Sequence, residues 1–405
     1  MTSKRLREIM ESDRNYLFQN YGDRLPACFV GGEGSFLYDQ DGRRYIDFFA
    51  GIAVSTLGHA HPGFVKKLQA QLERPIHSSN WFYNREQAAA GKLVGELSFP
   101  GKTLFVNSGT EANEAALKLA RAHGQSISPE RYEIISFEGS FHGRTFGGMS
   151  ATAQEKIRKG FGPIVPGFNY LPFNDIQAVS RELERNDRVC AVITELVQGE
   201  GGIRIADREF IRKLSELCAA RRILLIIDEV QTGVGRTGRA FAYQHFGIKP
   251  DIITLAKGLG GGVPVGAMHA RDDLSPLFGK GVHGTTFGGN HLACAAVEFI
   301  LKELKKPALT KNITTVSGFI FDRLRSLKEK HPSLVREVRG LGLHIGVELS
   351  IPGMDIVRKA LDAGLIINCT AEKVIRIMPP LTISVKTARE GMKILETILE
   401  SEASS

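Results

Sequence analysis

The sequence predicts an α/β fold, with a large domain built on a mostly parallel central sheet flanked by helices and a smaller α+β domain. The first observation is a set of short, almost continuously apolar runs, which are typical of strands covered on both faces of a sheet. The second is the helical spacing of Phe210, Leu214 and Cys218 between two of these runs. The third is a change, from about residue 300, to charged amphipathic helices and short strands. The apolar runs lie at residues 132–137, 189–194, 223–228 and 252–256.

The N-terminal segment, residues 1–60, is predicted to begin with a helix and then a loop up to about residue 35. Aromatic residues on both sides of Asp41-Gly42 predict a β-hairpin at residues 34–48. We expect this hairpin to contribute to the smaller domain.

The remaining chain divides where its pattern changes. Helical stretches alternate with the apolar runs over residues 61–298, which we assign to the large domain. The smaller domain is assigned to residues 299–405, with an amphipathic helix around 321–328 and a strand of alternating polarity at 346–349.

Composition and charge favour a globular enzyme. Of the 405 residues, 42% are hydrophobic and 24% are charged, which is ordinary for such a protein. The net charge of +8 is spread among interleaved acids, without the basic stripe that a nucleic-acid-binding protein would need. A dispersed positive charge instead suits anionic small substrates.

Five cysteines stand far apart and form no C-x-x-C pair, so we expect free thiols in a reducing compartment. Residues 1–14 lack the apolar segment of a signal peptide, and the chain has no apolar run of membrane-spanning length. His59 and His61 lack a further ligand nearby, so no metal site is expected. We therefore predict a soluble cytoplasmic protein.

Lys257 ends an apolar run and is followed by four glycines in five residues. A lysine at the end of a buried strand is desolvated, which favours its neutral form, and a neutral amine forms a Schiff base with a carbonyl cofactor. The alternative for this stretch alone is a strand that ends in a solvated lysine.

Asp228 and Glu229 follow five apolar residues, so the first carboxylate needs a cationic partner. A protonated pyridine nitrogen and an arginine are both candidates. The segment 233–238 also matches G-x-G-x-x-G, which leaves a nicotinamide-dependent oxidoreductase as a distant alternative. That match is weak because no helix start or later acidic strand end accompanies it.

Ser108, Gly109 and Thr110 precede a helix whose apolar face includes Ala112 and Leu119. The free amides of a helix start bind phosphate, although the same residues also suit an ordinary N-cap.

Several further stretches carry single polar groups in glycine-rich or apolar settings. Phe141 and Arg144 offer an aromatic plane and a carboxylate-binding fork. Thr285 and Thr286 offer hydroxyls, and Glu200 and Arg376 are isolated charges that by themselves fit a structural ion pair.

The order of these motifs resembles the class III, or ω-amino, group of fold-type I pyridoxal-phosphate aminotransferases, from about residue 20 to the C-terminal region. Residues 283–290 and 366–382 are most similar to the acetylornithine branch of that family. The resemblance implies pyridoxal 5'-phosphate as cofactor and a homodimer in which Thr286 of one chain reaches the phosphate of the other. The residues that it assigns to the cofactor are Ser108, Gly109, Thr110, Phe141, Asp228, Glu229, Val230, Gln231, Lys257 and Thr286.

The resemblance also implies a role for each of the central residues. Lys257 would carry the cofactor as a Schiff base and then move a proton, and Asp228 would keep the pyridine nitrogen protonated. Phe141 and Val230 would enclose the ring, with Gln231 near its phenolic oxygen.

The implied reaction moves the δ-amino group of N-acetylornithine, with N-succinyl-diaminopimelate as a further substrate, to 2-oxoglutarate in arginine and lysine biosynthesis. Arg144 would bind the carboxylate distal to the reacting amine, and Thr285 would contact the acylated substrate. Glu200 would release Arg376 when glutamate or 2-oxoglutarate brings a second carboxylate. The alternative donors are ornithine, 4-aminobutyrate or another ω-amine.

Overall fold

The computed structural model describes residues 3–403. Its N-terminal part contains a three-stranded antiparallel sheet, in which the hairpin predicted around Asp41-Gly42 is confirmed with Phe36 opposite Ile46. A further strand precedes the hairpin, in the segment that was predicted to be a loop. The elements are α1 (Lys4–Tyr16), β1 (Phe29–Glu33), β2 (Phe36–Asp39), β3 (Arg44–Asp47), α2 (Ala50–Ala53), α3 (Pro62–Leu72) and α4 (Arg85–Leu97).

The middle of the chain supplies a seven-stranded central sheet. The elements of this part of the chain are β4 (Gly101–Val106), α5 (Gly109–Ile127), β5 (Glu133–Phe137), α6 (Phe146–Ala151), α7 (Glu155–Arg158), β6 (Phe168–Leu171), α8 (Ile176–Arg185), β7 (Val189–Thr194), β8 (Val197–Gln198), β9 (Arg204–Ile205), α9 (Arg208–Ala220), β10 (Leu224–Asp228), β11 (Ile252–Leu255) and β12 (Gly266–Arg271). Strands β8 and β9 pair with each other in a separate two-stranded sheet. Short 3-10 turns occur at Ala242–His245, Lys257–Leu259 and Asp272–Phe278.

The strand order of this sheet is β4-β12-β11-β10-β7-β5-β6, and only β12 runs antiparallel to its two neighbours. The mostly parallel sheet that the apolar runs predicted is therefore confirmed. Every residue of β5, β7, β10 and β11 is buried, as expected for strands covered on both faces.

The C-terminal part adds helices and a four-stranded sheet, in the order β13-β14-β17-β16. Strand β15 pairs in parallel with β3, which joins the N-terminal hairpin to this region. The boundary predicted after residue 298 falls inside α10, which packs on α3 and α4. The elements are α10 (His291–Leu304), α11 (Pro307–Lys330), β13 (Val335–Leu341), β14 (His344–Leu349), α12 (Met354–Asp362), β15 (Leu365–Ile366), β16 (Asn368–Thr370), β17 (Val374–Ile377) and α13 (Val385–Ala403).

No helix within residues 3–403 combines the length and the apolar content that crossing a membrane requires.

Candidate active site

A cavity of about 340 Å³ lies where the chain leaves the carboxyl ends of β4, β5, β10 and β11. Ligands of open α/β sheets bind at this edge. The cavity brings together most of the residues selected from the sequence, which are Ser108, Gly109, Thr110, Phe141, Arg144, Glu200, Asp228, Val230, Gln231 and Lys257.

Lys257 begins a short 3-10 turn directly after β11, with φ at +43°. The turn is fixed by the Thr56 hydroxyl, which donates to the Gly258 carbonyl at 2.9 Å. Burial lowers the pKa of Lys257 below its ordinary value, although the carboxylates of Glu200 and Asp228 act in the opposite direction. The structure thus supplies a lysine that gives up its proton, and so becomes nucleophilic, more readily than a solvated lysine.

Asp228 ends β10 and is buried at the wall of the cavity. His142 Nδ1 and Asn113 Nδ2 each lie 2.8 Å from its Oδ2, and the Val230 amide donates to its Oδ1 at 3.0 Å. Burial alone would raise the pKa of Asp228, but the hydrogen bonds and the His142 charge outweigh it and lower the pKa. The carboxylate is therefore held in its charged form.

Two partners of Asp228 received no role in the sequence prediction. Asn113 lies on the buried face of α5 and donates to the His142 carbonyl at 2.7 Å as well as to Asp228. The sequence held one signal for Asn113, which lies among the alanines of the buried helix face. A buried amide needs a hydrogen-bond partner. His142 lies inside the Phe141–Arg144 motif, but nothing local connects it with Asp228.

The start of α5 forms one end of the cavity. The Ser108 hydroxyl caps the helix by accepting from the Glu111 amide at 3.3 Å. Gly109 follows it, and a Cβ there would lie 2.8 Å from Val230 Cγ1. The Thr110 hydroxyl lies 2.8 Å from that of Thr145. The amides of a first helical turn have no partner within their helix, so this end of the cavity suits an anion.

Phe141 is held by a buried carboxylate that the sequence prediction did not include. Glu195 accepts from the amides of Phe141 at 3.0 Å and Gly199 at 3.2 Å, and burial raises its pKa to about 7. Arg144 is exposed at the cavity, with its guanidinium 5.7 Å from the centre of the Phe141 ring. None of the ion pairs in the described part of the chain includes Arg144, so its guanidinium is available to a ligand.

Glu200 and Arg376, predicted as a pair, are in contact. Arg376 Nη1 donates to Glu200 Oε1 at 2.6 Å, and its Nε donates to Asn368 Oδ1 at 2.8 Å. Burial would raise the pKa of Glu200, but the Arg376 charge lowers it overall, so the pair is ionic. Arg376 is buried, and Glu200 also forms part of the cavity wall.

Besides Arg376, which contacts Glu200 but does not line the cavity, three predicted residues lie outside it. Thr285 accepts from Asn107 Nδ2 at 3.0 Å, and it lines a separate surface depression together with the exposed Thr286. Glu229 points away from the cavity, because its carboxylate accepts from the Thr232 hydroxyl at 2.6 Å and the Tyr243 amide at 2.8 Å. The structure therefore places the Glu229 side chain in contacts within the loop that follows β10.

The glycine-rich segment 233–238 does not have the form of a dinucleotide-binding turn. It runs through consecutive turns, and within the described chain no α-helix begins between Asp228 and His291. Arg236 from this segment donates to the carbonyls of Leu343 at 3.1 Å and Pro379 at 2.6 Å. The segment therefore serves as a contact with the C-terminal region.

Comparison with known proteins identifies the same architecture. The model of the family "Aminotransferase class-III" matches residues 18–399. The acetylornithine aminotransferase of Aquifex aeolicus is 47% identical over 95% of this chain and 100% of its own length. That of Caldanaerobacter subterraneus subsp. tengcongensis is 45% identical over 96% and 98%.

Solved structures agree with the sequence comparison. The ornithine aminotransferase from Toxoplasma gondii ME49 aligns with a TM-score of 0.94 at 32% identity, covering 99% of this chain and 96% of its own. The acetylornithine aminotransferase from Elizabethkingia anophelis aligns with a TM-score of 0.88 at 30% identity, covering 98% and 100%.

Proposed function

Because the chain belongs to the class-III aminotransferases, we propose that it binds pyridoxal 5'-phosphate and transfers the δ-amino group of N-acetylornithine to 2-oxoglutarate. One observation carries the proposal. A lysine whose pKa is lowered and an aspartate whose pKa is also lowered line the same cavity, so an amine that loses its proton more easily than a solvated lysine and a charged carboxylate face one ligand.

The residues around the cavity fit this cofactor. Asp228 offers a buried negative charge for a pyridinium nitrogen, and the start of α5 offers amides and hydroxyls for a phosphate. Phe141 and Val230 line the cavity as flat or branched apolar groups suited to a ring. Gly109 has no side chain, and a Cβ at this position would collide with Val230 on the cavity wall.

When bound, pyridoxal phosphate supplies an electron sink that stabilises a carbanion at the reacting carbon. Within this protein, Lys257 would bind the cofactor covalently and afterwards act as the base that moves the proton from the substrate carbon. Asp228 would keep the ring nitrogen protonated. This role needs a charged carboxylate, and the hydrogen bonds with His142 and Asn113 favour that form.

Two arginines would bind the substrates. Arg144, unpaired at the cavity, would bind the carboxylate distal to the reacting δ-amine. Arg376 would bind the carboxylate next to the reacting carbon of glutamate or 2-oxoglutarate after Glu200 moves away. Because Arg376 can exchange Glu200 for a substrate carboxylate, one pocket can accept two different amino donors.

The names of the relatives, aligned over nearly the whole chain, support N-acetylornithine as the donor. N-succinyl-diaminopimelate is a related acylated donor, and both belong to arginine and lysine biosynthesis. The solved ornithine aminotransferase from Toxoplasma gondii ME49, with a TM-score of 0.94, makes free ornithine the second candidate.

The donor is tested by single-turnover reactions of the cofactor-loaded protein. N-acetylornithine is expected to bleach the visible cofactor band faster than free ornithine or 4-aminobutyrate at equal concentration. A higher rate constant per molar donor for ornithine or 4-aminobutyrate would overturn the choice of substrate while leaving the reaction type intact.

A homodimer is part of the proposal. The exposed Trp81 lines the depression that contains Thr285 and Thr286, and its chain neighbours Phe82 and Tyr83 and the neighbour of Thr286, Phe287, are exposed as well. Exposed aromatic patches of this kind mark interaction surfaces. In the dimer, Thr286 of each chain would complete the phosphate site of the other.

The protein is expected in the cytoplasm, where the thiols of its five free cysteines stay reduced.

A further inference from the structure

His344 is the first residue of β14 and has no role in the function proposed above. The residue before it is held on both sides by the glycine-rich segment. The Leu343 amide donates to the Arg236 carbonyl at 3.0 Å, and Arg236 Nη1 donates to the Leu343 carbonyl at 3.1 Å. The C-terminal sheet therefore brings a fixed histidine to the large domain.

The imidazole contacts Gln231, which lines the active-site cavity. His344 Nε2 lies 2.9 Å from Gln231 Oε1, and the histidine side chain is fully buried. Burial lowers the pKa of His344 well below its ordinary value, and the charges of Arg236, Arg376 and Lys257 lower it further. The ring is consequently neutral and carries one proton.

The position of that proton follows from the other ring nitrogen. Nδ1 is buried and has no hydrogen-bond partner among residues 3–403. A buried N–H without an acceptor is rarer in proteins than a buried acceptor without a donor. The proton therefore belongs on Nε2, which donates to Gln231 Oε1.

The surroundings of Gln231 agree with this orientation. A Cβ on Gly199 would lie 1.8 Å from Gln231 Oε1, so the oxygen is packed against a residue without a side chain. Gln231 Nε2, in contrast, has no acceptor in the described part of the chain, and its residue forms part of the cavity wall. The two amide donors are thus left for a ligand.

We propose that His344 is a positioning residue, which fixes the Gln231 side chain so that its amide nitrogen, and not its oxygen, faces the cavity. The site thereby gains a neutral hydrogen-bond donor beside Lys257. Such a donor matches an anionic oxygen on the bound ring. This inference rests on the proposed function, because it assigns Gln231 to the phenolic oxygen of pyridoxal phosphate.

The test is the pH dependence of the visible absorbance of the cofactor-loaded protein. A hydrogen bond donated to the phenolic oxygen disperses its negative charge, and this charge otherwise favours protonation at the Lys257 nitrogen. Loss of the donor should raise the pH midpoint by about one unit. The variants are His344→Met, which removes the donor at similar volume, and His344→Gln, whose amide nitrogen can replace Nε2.

We expect His344→Met and Gln231→Leu to raise the midpoint equally and His344→Gln to keep the wild-type value. The double variant that combines His344→Met with Gln231→Leu should shift the midpoint no further than either single variant. If the His344→Met protein does not fold, His344→Asn replaces it, since its shorter amide does not reach Gln231.

An unchanged midpoint in His344→Met or His344→Asn would overturn the role of His344. The same conclusion would follow if adding His344→Met to Gln231→Leu raised the midpoint as much as His344→Met raises it in the wild-type protein. The absence of a visible band in the wild-type protein would instead overturn the proposed function itself.

Discussion

At the scale of single residues, Lys257 combines two unfavourable features. Its backbone is in the left-handed region, which costs of order 1–3 kcal/mol for a residue other than glycine. Its amine is desolvated, which disfavours the charged form. The strand before it and the Thr56 contact to Gly258 hold this arrangement in place. The cost is understandable if the neutral amine is needed for chemistry.

The sequence identified Lys257 and Asp228 because both end apolar strands. It did not reveal Asn113 and His142 as partners of Asp228, or Glu195 as the acceptor for the Phe141 amide, because these contacts join parts of the chain that are far apart. The separation between Asn113 and Asp228, for example, is 115 residues. The Glu229 side chain lies outside the cavity, since adjacent acidic residues point in opposite directions at a strand end.

Replacing Glu229 by Gln should change how stability depends on pH. Burial raises the pKa of Glu229 to about 7, above the ordinary value of 4.5. The folded state therefore binds this proton more tightly than the unfolded state, and the resulting stability is lost as pH rises from about 5 through 7. We expect the free energy of unfolding of Glu229→Gln, relative to wild type, to increase by about 1–3 kcal/mol between pH 5 and pH 8.

Urea unfolding of both cofactor-free proteins at the two pH values measures this change. Exposed Glu184→Gln is the control, and its difference from wild type should be nearly constant. A constant difference for Glu229→Gln as well would contradict the assigned pKa.

At the scale of elements, the parallel strands were predictable and the antiparallel part of the sheet was not. Strands β5, β7, β10 and β11 appear in the sequence as apolar runs that end close to the polar residues of the cavity. Strand β12 contains Gly266 and the buried His269, which contacts the Phe99 carbonyl and the Thr103 hydroxyl. Its polarity pattern is therefore mixed, and its burial depends on partners that local sequence does not show.

The start of α5 should tolerate no added methyl group at Gly109. The new Cβ would lie 2.8 Å from Val230 Cγ1 and 3.3 Å from Ala256 Cβ, so the cavity wall must shift. Overpacking of this kind costs about 1–3 kcal/mol, and we expect Gly109→Ala to weaken cofactor binding by about 10-fold or more.

Equilibrium titration with pyridoxal phosphate measures this loss. Gly318→Ala is the matched control, because Gly318 lies within α11 and a Cβ there meets no atom within 4 Å. Equal affinities for the Gly109 variant and wild type would show that α5 does not form the cofactor site.

Strand β17 carries Arg376 into contact with Glu200, and removing the arginine should separate the two half-reactions. Arg376→Ala is expected to raise the KM for 2-oxoglutarate by about 100-fold, because a charge-assisted contact to a carboxylate is lost. The rate with N-acetylornithine should change far less. Steady-state kinetics give the KM for 2-oxoglutarate and the kcat/KM for N-acetylornithine, with exposed Arg336→Ala as the control. An equal loss in both half-reactions would contradict the exchange of partners.

At the scale of the whole molecule, the site depends on segments from most of the chain. The pairing of β3 with β15 joins the N-terminal hairpin to the C-terminal region. The exact division into domains was harder to predict, because α10 continues through the expected boundary and packs on α3 and α4. Thr286 lies on the surface outside the cavity, so the role proposed for it requires a second chain.

A mixed dimer tests whether Thr286 acts across subunits. Lys257→Ala and Thr286→Asp should each abolish turnover as pure proteins, the second by placing a negative charge beside the phosphate. A co-refolded equal mixture should recover about a quarter of the wild-type rate, since half of the dimers are mixed and one of their two sites is intact. Activity near zero in the mixture would place both residues in the same site of one chain.

The central claim is that Lys257 and Asp228 hold opposite ends of one cofactor ring. Borohydride reduction of the protein with pyridoxal phosphate, followed by peptide mapping, tests it most directly, because reduction fixes the lysine that carries the cofactor. The account predicts that the label is found on Lys257 and that Lys257→Ala binds the cofactor without becoming labelled. A label on another lysine of the wild-type protein, or none at all, would contradict it.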